Sequence, residues 1–248
     1  MAEQASEAAA PWRVAAVPGT ANFRDFGGYD APGGRLARGR LFRADGLADL
    51  GAAGRAALAD LGLRTVVDLR EPVEREQHPD DLGDVAVRWH GVAILGELHG
   101  AGTLTDLGEL YVELLDDRGA ELTAAVRLLA GADALPAVVH CSAGKDRTGL
   151  VAALTLATLG VDDEEIVADY ALTGQLLRGP RLDEIRRRAI EAGLDEQTIA
   201  VALDAPAEAM RRALTHLRQA HGGADAYLLA HGASARELDA LRAATVVA

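Results

Sequence analysis

The stretch Leu135-Pro136-Ala137-Val138-Val139-His140-Cys141-Ser142-Ala143-Gly144-Lys145-Asp146-Arg147-Thr148-Gly149-Leu150 carries both the topology and the chemistry of this 248-residue chain. Its apolar start, residues 135–139, predicts a buried strand, and residues 150–157 have helical spacing that stops at Gly160. Residues 140–149 therefore leave a strand and open a helix, with the single cysteine of the chain, Cys141, near their start. The thiolate, not the thiol, is the nucleophile. Unpaired N–H groups and the dipole at a helix N-terminus favour a thiolate and bind a dianion at the same point. Arg147 closes a Cys-x5-Arg pattern and brings a planar fork that matches two phosphate oxygens. Gly144 permits a tight turn in which the N–H groups of Ser142, Ala143, Gly144, Lys145, Asp146 and Arg147 converge on one anion. Thr148 offers a hydroxyl to the sulfur or to a hydrolytic water, and His140 orients the loop. The implied chemistry is attack of Cys141 on a phosphate ester through a phosphocysteine.

Other readings fit the loop less well. Gly144-Lys145 suggests a nucleotide P-loop, but the position that needs the first glycine is Val139, and Asp146 follows the lysine where Ser or Thr is required. Rhodanese-like sulfur transfer also uses a loop cysteine, yet it does not call for Arg147-Thr148 at the helix start. From a different class, the alternative is a phosphate-binding regulatory module without turnover. Hydrolysis of para-nitrophenyl phosphate by the parent and by Cys141→Ser separates the two.

The pattern of His140, Cys141, Arg147 and Thr148 resembles the His-Cys-x5-Arg-Ser/Thr signature of the cysteine-dependent protein tyrosine phosphatase superfamily. The narrower Gly-Lys-Asp-Arg-Thr-Gly of residues 144–149 resembles the bacterial subgroup with Lys-Asp in the loop, which includes secreted mycobacterial phosphatases of phosphoproteins and phosphoinositides. Asn22-Phe23-Arg24-Asp25-Phe26-Gly27-Gly28-Tyr29 resembles the N-terminal box of that subgroup, and Val66-Val67-Asp68-Leu69-Arg70 with Glu74 resembles its strand ending in Asp-Leu-Arg. The resemblance implies a protein tyrosine phosphatase-like fold and phosphotyrosine protein as substrate, with phosphoserine/threonine and phosphoinositides as additional ones. It also implies inorganic phosphate as product, no cofactor, and helices able to form a lid. It brings Arg24 and Arg70 near the phosphate loop as substrate-binding candidates; either instead holds loops through ion pairs with Asp25, Asp68 or Glu74. Ser142 is small where relatives with broad lipid activity carry a bulky aromatic, whereas Lys145 suits a multiply phosphorylated substrate.

The general acid has two candidates. Conventional relatives supply it from a separate loop upstream of the cysteine, which here points to Asp106, although no Trp-Pro-Asp signature surrounds it. Asp146 lies inside the loop beside Arg147, near where the leaving oxygen emerges. A carboxylate beside an incoming dianion is pushed towards its protonated form by like-charge repulsion, and the subgroup resemblance favours Asp146 too. The plainer role for Asp146 is pairing with Lys145 or Arg24.

Apolar content of 49% and charged content of 25% fit a soluble globular chain. A net charge of -13 argues against nucleic acid and against anionic membranes as partners. One cysteine excludes an internal disulfide and suits a reducing cytoplasm, the expected location. Residues 1–10 lack the basic start and apolar centre of a signal peptide and are expected to be a disordered tail, and no stretch is apolar enough to span a bilayer. His78, His90, His99, His216, His221 and His231 show no metal-ligand spacing with carboxylates or cysteines, so no metal is expected.

Strand and helix signals alternate through the first two-thirds: a hairpin or edge strand at 35–43, a helix at 49–61, strands at 64–69 and 87–95, helices at 107–115 and 120–129, then the strand at 137–140. That order implies an α/β fold with a mostly parallel central sheet flanked by helices. Ligands bind beyond the C-terminal ends of such strands, where Arg70 and Cys141 both fall. Residues 162–172, 181–192, 195–203, 206–220, 227–230 and 235–244 read as helices. One domain, 11–248, is expected, with the sheet and phosphate loop in 11–160 and a helical extension in 161–248. Gly174 and Gly179-Pro180 are the hinge candidates for a lid, and the arginines at 186–188 and 211–212 read as solvated faces.

Overall fold

The computed structural model describes residues 16–96, 106–191 and 193–248; the expected tail at 1–10 lies outside them. Strands β1 (Arg24–Asp25), β4 (Leu41–Ala44), β5 (Thr65–Asp68), β6 (Arg88–Gly91) and β7 (Ala137–His140) form a five-stranded sheet in the order β1-β4-β7-β5-β6. The strand that delivers Cys141 is therefore central. It pairs in parallel with β4 and β5, β6 pairs in parallel with β5, and β1 runs antiparallel to β4 at the edge.

A central parallel strand is covered on both faces, so consecutive positions must be apolar. Val138 packs with Phe42, Val66 and Leu58 on one face, while Ala137 and Val139 pack with Val67, Leu122 and Leu150 on the other. Helix α1 (Gly51–Asp60) covers the first face through Leu58. Helices α3 (Leu107–Asp117), α4 (Gly119–Leu129), α5 (Asp146–Thr158), α6 (Asp163–Ala171) and α10 (Ala207–His221) contribute to the second. In α10 the buried positions Ala209, Met210, Ala213, Leu214 and Leu217 recur at helical spacing, and Gly222 ends the helix with φ 77°. The C-terminal extension thus shares the core of the sheet. Its remaining helices are α7 (Thr173–Leu176), α8 (Pro180–Glu191), α9 (Glu196–Leu203), α11 (Ala224–Ala230) and α12 (Ala235–Thr245). A three-stranded sheet of β2 (Asp30–Ala31), β3 (Gly34–Leu36) and β8 (Val246–Val247) pairs the last residues with the N-terminal third.

The expected hairpin or edge strand at 35–43 divides between two sheets. Its first part is β3, and Leu41–Ala44 is an interior strand, buried at every position. The arginine in Leu-Phe-Arg-Ala hides that strand from an apolar-run reading, because Arg43 is buried against Asp169. The strand expected at 87–95 shrinks to β6, an exposed edge. Helix α2 (Pro72–Gln77) has no counterpart in the sequence reading, although Pro72 at its first turn and the Glu71/Glu74 capping box mark its start. Among the described residues no helix is long and apolar enough to cross a membrane.

Candidate active site

β7 ends at His140 and α5 begins at Asp146, leaving a loop at 141–145. Gly144 has φ 67°, and a Cβ there would lie 2.3 Å from the Ala44 carbonyl oxygen, so the turn needs glycine twice over. The loop carbonyls are drawn back towards β4 and the N-terminal box. Gly46 N–H donates to Ser142 O at 3.1 Å, and Asn22 Nδ2 donates to Ala143 O at 2.9 Å and Gly144 O at 3.0 Å. Arg43 Nη2 donates to Gly144 O at 2.9 Å. In a trans peptide the N–H points opposite to the carbonyl, so the following N–H groups face the other side and form a cradle. Helix α5 has no side-chain cap at its N-terminus, which leaves first-turn N–H groups for an anion as well. Cys141 is buried, 2% exposed.

Arg147 reaches the loop from the first turn of α5. Its Nη1 donates to Glu74 Oε2 at 2.5 Å and its Nη2 to Glu74 Oε1 at 2.9 Å. Ser142 Oγ donates to Glu74 Oε1 at 2.5 Å. Burial favours the neutral carboxyl, but the Arg147 and Ser142 bonds override it and hold Glu74 down at about 2. Burial likewise opposes the Arg147 charge, and the Cys141 and Glu74 charges hold its pKa above the ordinary value. The guanidinium is fixed in orientation and permanently charged.

Beneath the loop, Asp169 joins two buried arginines. Arg24 Nε lies 3.3 Å and Arg43 Nη1 2.5 Å from its carboxylate, with all three side chains at most 1% exposed. Arg24 also donates to Asp169 O, Thr173 Oγ1 and the Asn22 side chain. The residues carried by the N-terminal box therefore brace the loop from behind. Replacing Asp169 with Ala leaves two guanidiniums buried without their carboxylate; the expected loss is about 3–5 kcal/mol. Urea unfolding checks this, and an unchanged midpoint contradicts the bracing role.

Arg70 lies at the foot of β5. Its Nε and Nη2 bind Asp68 at 2.9 and 2.8 Å, its Nη2 also binds Asp80 at 2.7 Å, and its Nη1 donates to His78 O at 2.7 Å. Asp80 in turn lies 3.2 Å from His140 Nε2 and accepts from Trp89 Nε1 at 3.0 Å. Despite burial, the His140 and Arg70 charges lower the Asp80 carboxyl to about 2. Groups whose folded pKa is depressed stabilise above their unfolded pKa, and the contribution is lost as pH falls through the folded value. Stability from Glu74 is therefore full above its ordinary 4.5 and disappears towards about pH 2, and Asp80 follows from its ordinary 3.8. Urea midpoints across that window should fall more shallowly in Asp80→Asn, which is already weakened at neutral pH; parallel curves contradict the linkage.

The remaining loop side chains divide. Asp146 is beside Lys145, with Nζ 3.3 Å from its Oδ1, and Tyr111 of α3 donates its hydroxyl to the same oxygen at 2.6 Å. Tyr170 of α6 shares a 2.7 Å hydroxyl contact with Tyr111. Burial, reinforced by the Asp146 charge, pushes the Tyr111 hydroxyl well up, so it remains a donor. Asp146 Oδ2 accepts no hydrogen bond among the described residues. Lys145 turns away from the cradle and donates to Ala202 O and Asp204 O at the C-terminal end of α9. The Thr148 hydroxyl is buried with no hydrogen-bond partner among the described residues, Cys141 included. Asp106 caps α3 by accepting from Glu109 N at 2.8 Å and lies 3.5 Å from Arg212; among the described residues it makes no hydrogen bond or ion pair with the loop. Arg24 and Arg70 both sit in buried ion pairs behind the loop, Arg70 with Asp68 as its alternative role had it. Arginines of 186–188 and Arg211 pair with surface glutamates.

Asn22, Arg43, Asp169 and Tyr111 complete the site without having been singled out from sequence. Comparison with known proteins agrees with the chemistry. A tyrosine-protein phosphatase of Nostoc commune is 33% identical over 214 residues, covering 79% of this chain and 71% of the relative. The triple specificity protein phosphatase PtpB of Mycobacterium tuberculosis is 34% identical over 194 residues, covering 63% of this chain and 68% of the relative. The sequence model of the tyrosine phosphatase family matches residues 15–247, and the chain belongs to that family.

Proposed function

We propose that this tyrosine phosphatase acts first on phosphotyrosine in proteins, with phosphoserine/threonine and phosphoinositides as additional substrates. The observation that carries the reading is the cradle of loop N–H groups in front of a buried thiol, with Arg147 fixed at its side. The Cys141 sulfur attacks phosphorus in line while the loop amides and Arg147 hold the equatorial oxygens. Glu74 takes one edge of the guanidinium, and the N–H groups left over from that pairing remain for phosphate. As the P–O bond breaks, Asp146 protonates the leaving oxygen; its carboxylate then takes a proton from water, which attacks phosphorus and releases phosphate and the thiolate. Arg24 and Arg70 act as positioning residues.

The ranking is tested by kcat/KM on a phosphotyrosine peptide, a phosphoserine peptide and phosphoinositide vesicles. The phosphotyrosine peptide is expected to be the best, and a higher value on the lipid overturns the order.

Helices α8 and α9 are the candidate lid. Lys145 donates to the carbonyl end of α9, where a helix dipole favours a cation. Arg181 of α8 binds Asp45 and Asp49 at 2.7 Å and Gly46 O at 3.1 Å. Gly179, with φ 57°, precedes α8 as a hinge. A second phosphate on the substrate competes for Lys145 and frees α9. Lys145→Met should speed amide exchange across 196–203; unchanged exchange removes the tether.

A further inference from the structure

Two histidines of one helix meet an aspartate about a hundred positions away, all three partly exposed. Asp116 is in the last turn of α3, His216 in α10, and His221 is the final residue of α10. His216 Nε2 lies 2.8 Å and His221 Nε2 2.9 Å from the same Asp116 Oδ1. One ligand atom from each of the three lies within 4.8 Å of the other two. The rings are held in place, since His221 packs edge-on against Tyr227 (centroids 5.0 Å apart) and against His216 (5.3 Å). The side chains of Asp116, His216 and His221 are 45%, 24% and 21% exposed, so solvent reaches the cluster. Among the described residues no lysine or arginine pairs with Asp116. The buried Asp68, Asp80 and His140 differ here, because Arg70 already supplies their cation at 2.8 and 2.7 Å.

We propose that Asp116, His216 and His221 form a binding site for a divalent first-row transition ion, zinc foremost, built from residues outside the catalytic loop. Two imidazoles and one carboxylate are a donor set for zinc or its neighbours, whereas magnesium and calcium prefer oxygen throughout. Zinc at about 2.0–2.1 Å from each ligand in a tetrahedron requires ligand atoms about 3.3 Å apart. The N–O separations of 2.8 and 2.9 Å need only a small opening, which partly exposed side chains allow. Water completes the shell. Metal binding uses the Nε2 lone pair of each ring, which places the proton of the neutral imidazole on Nδ1. The ion would also sit by the C-terminal ends of both α3 and α10, where the helix dipoles favour positive charge. It would staple the two helices.

The test uses Cys141→Ser, so that the active-site thiolate cannot take up metal. Titration with Co²⁺ should give a single equivalent with tetrahedral visible absorption that Zn²⁺ displaces, and Zn²⁺ should raise the thermal midpoint. Adding His216→Ala or His221→Ala should weaken zinc binding more than about tenfold, since even supporting residues of metal sites cost that much, and should cancel the thermal gain. His216→Gln serves in place of any alanine variant that fails to fold. In the Cys141-containing protein, the histidine variants should leave turnover of para-nitrophenyl phosphate unchanged. No zinc binding by Cys141→Ser, or binding that survives loss of both histidines, overturns the site.

Discussion

Cys141→Ser is expected to abolish turnover of para-nitrophenyl phosphate while binding of phosphate or vanadate stays close to that of the parent. A serine hydroxyl at this position is not ionised at neutral pH and cannot carry the phosphoryl group at a useful rate. The cradle does not depend on the sulfur. Asn22, Arg43 and Gly46 still hold the loop carbonyls back, and Glu74 still fixes Arg147. Loss of a covalent nucleophile in a preorganised site costs on the order of 10⁴- to 10⁶-fold in kcat. Arg147→Lys should also cost heavily, because an ammonium cannot replace the fork and Glu74 loses its bidentate partner. Steady-state rates together with vanadate titration check the pair of expectations. Serine turnover within tenfold of the parent removes the covalent route, and loss of vanadate binding removes the sulfur-independent cradle.

Asp146→Asn is expected to lower kcat on phenyl phosphate, a poor leaving group, by about 10²- to 10⁴-fold, with a far smaller loss on para-nitrophenyl phosphate. Asp146 has one oxygen engaged by Tyr111 and Lys145, and the other is left for the leaving group. An asparagine keeps the shape and loses the proton, so the basic-side fall of the pH–rate profile should vanish as well. Asp106→Asn is the control. Asp106 works as a helix cap with Arg212 nearby, so its loss should cost at most about 1 kcal/mol of stability with no dependence on leaving group. If the leaving-group dependence appears in Asp106→Asn and not in Asp146→Asn, the acid belongs to the upstream loop.

The sheet, the loop and most of the helices were legible because their signals are local. An apolar run before Cys141, helical spacing after it and glycines at the helix ends are read within a window of a dozen residues. Strand β4 was misjudged for a non-local reason: Arg43 looks like an edge residue until Asp169, 126 positions away, neutralises it. The same limit governs the site. Cys141 and Arg147 announce themselves by spacing on one loop. Glu74 was quoted only as part of a motif, and its pairing with Arg147 joins positions 73 apart. Tyr111 meets Asp146 across 35 positions, and Asp116 meets His216 across 100. Sequence spacing carries no trace of such meetings; the packing of α3 against α5, α6 and α10 creates them. Arg24 and Arg70 show the converse, since a motif brings an arginine to the right neighbourhood without saying which way its charge is spent.

The central claim is that phosphate passes through Cys141. Acid-quenching the parent during turnover of a good-leaving-group substrate, followed by mass spectrometry of the peptide that holds Cys141, tests it most directly. A phosphate adduct on Cys141 that appears with substrate, decays as substrate is consumed and is absent from Cys141→Ser is the predicted result. Continued turnover with no adduct on that peptide, at quench times shorter than one catalytic cycle, contradicts it.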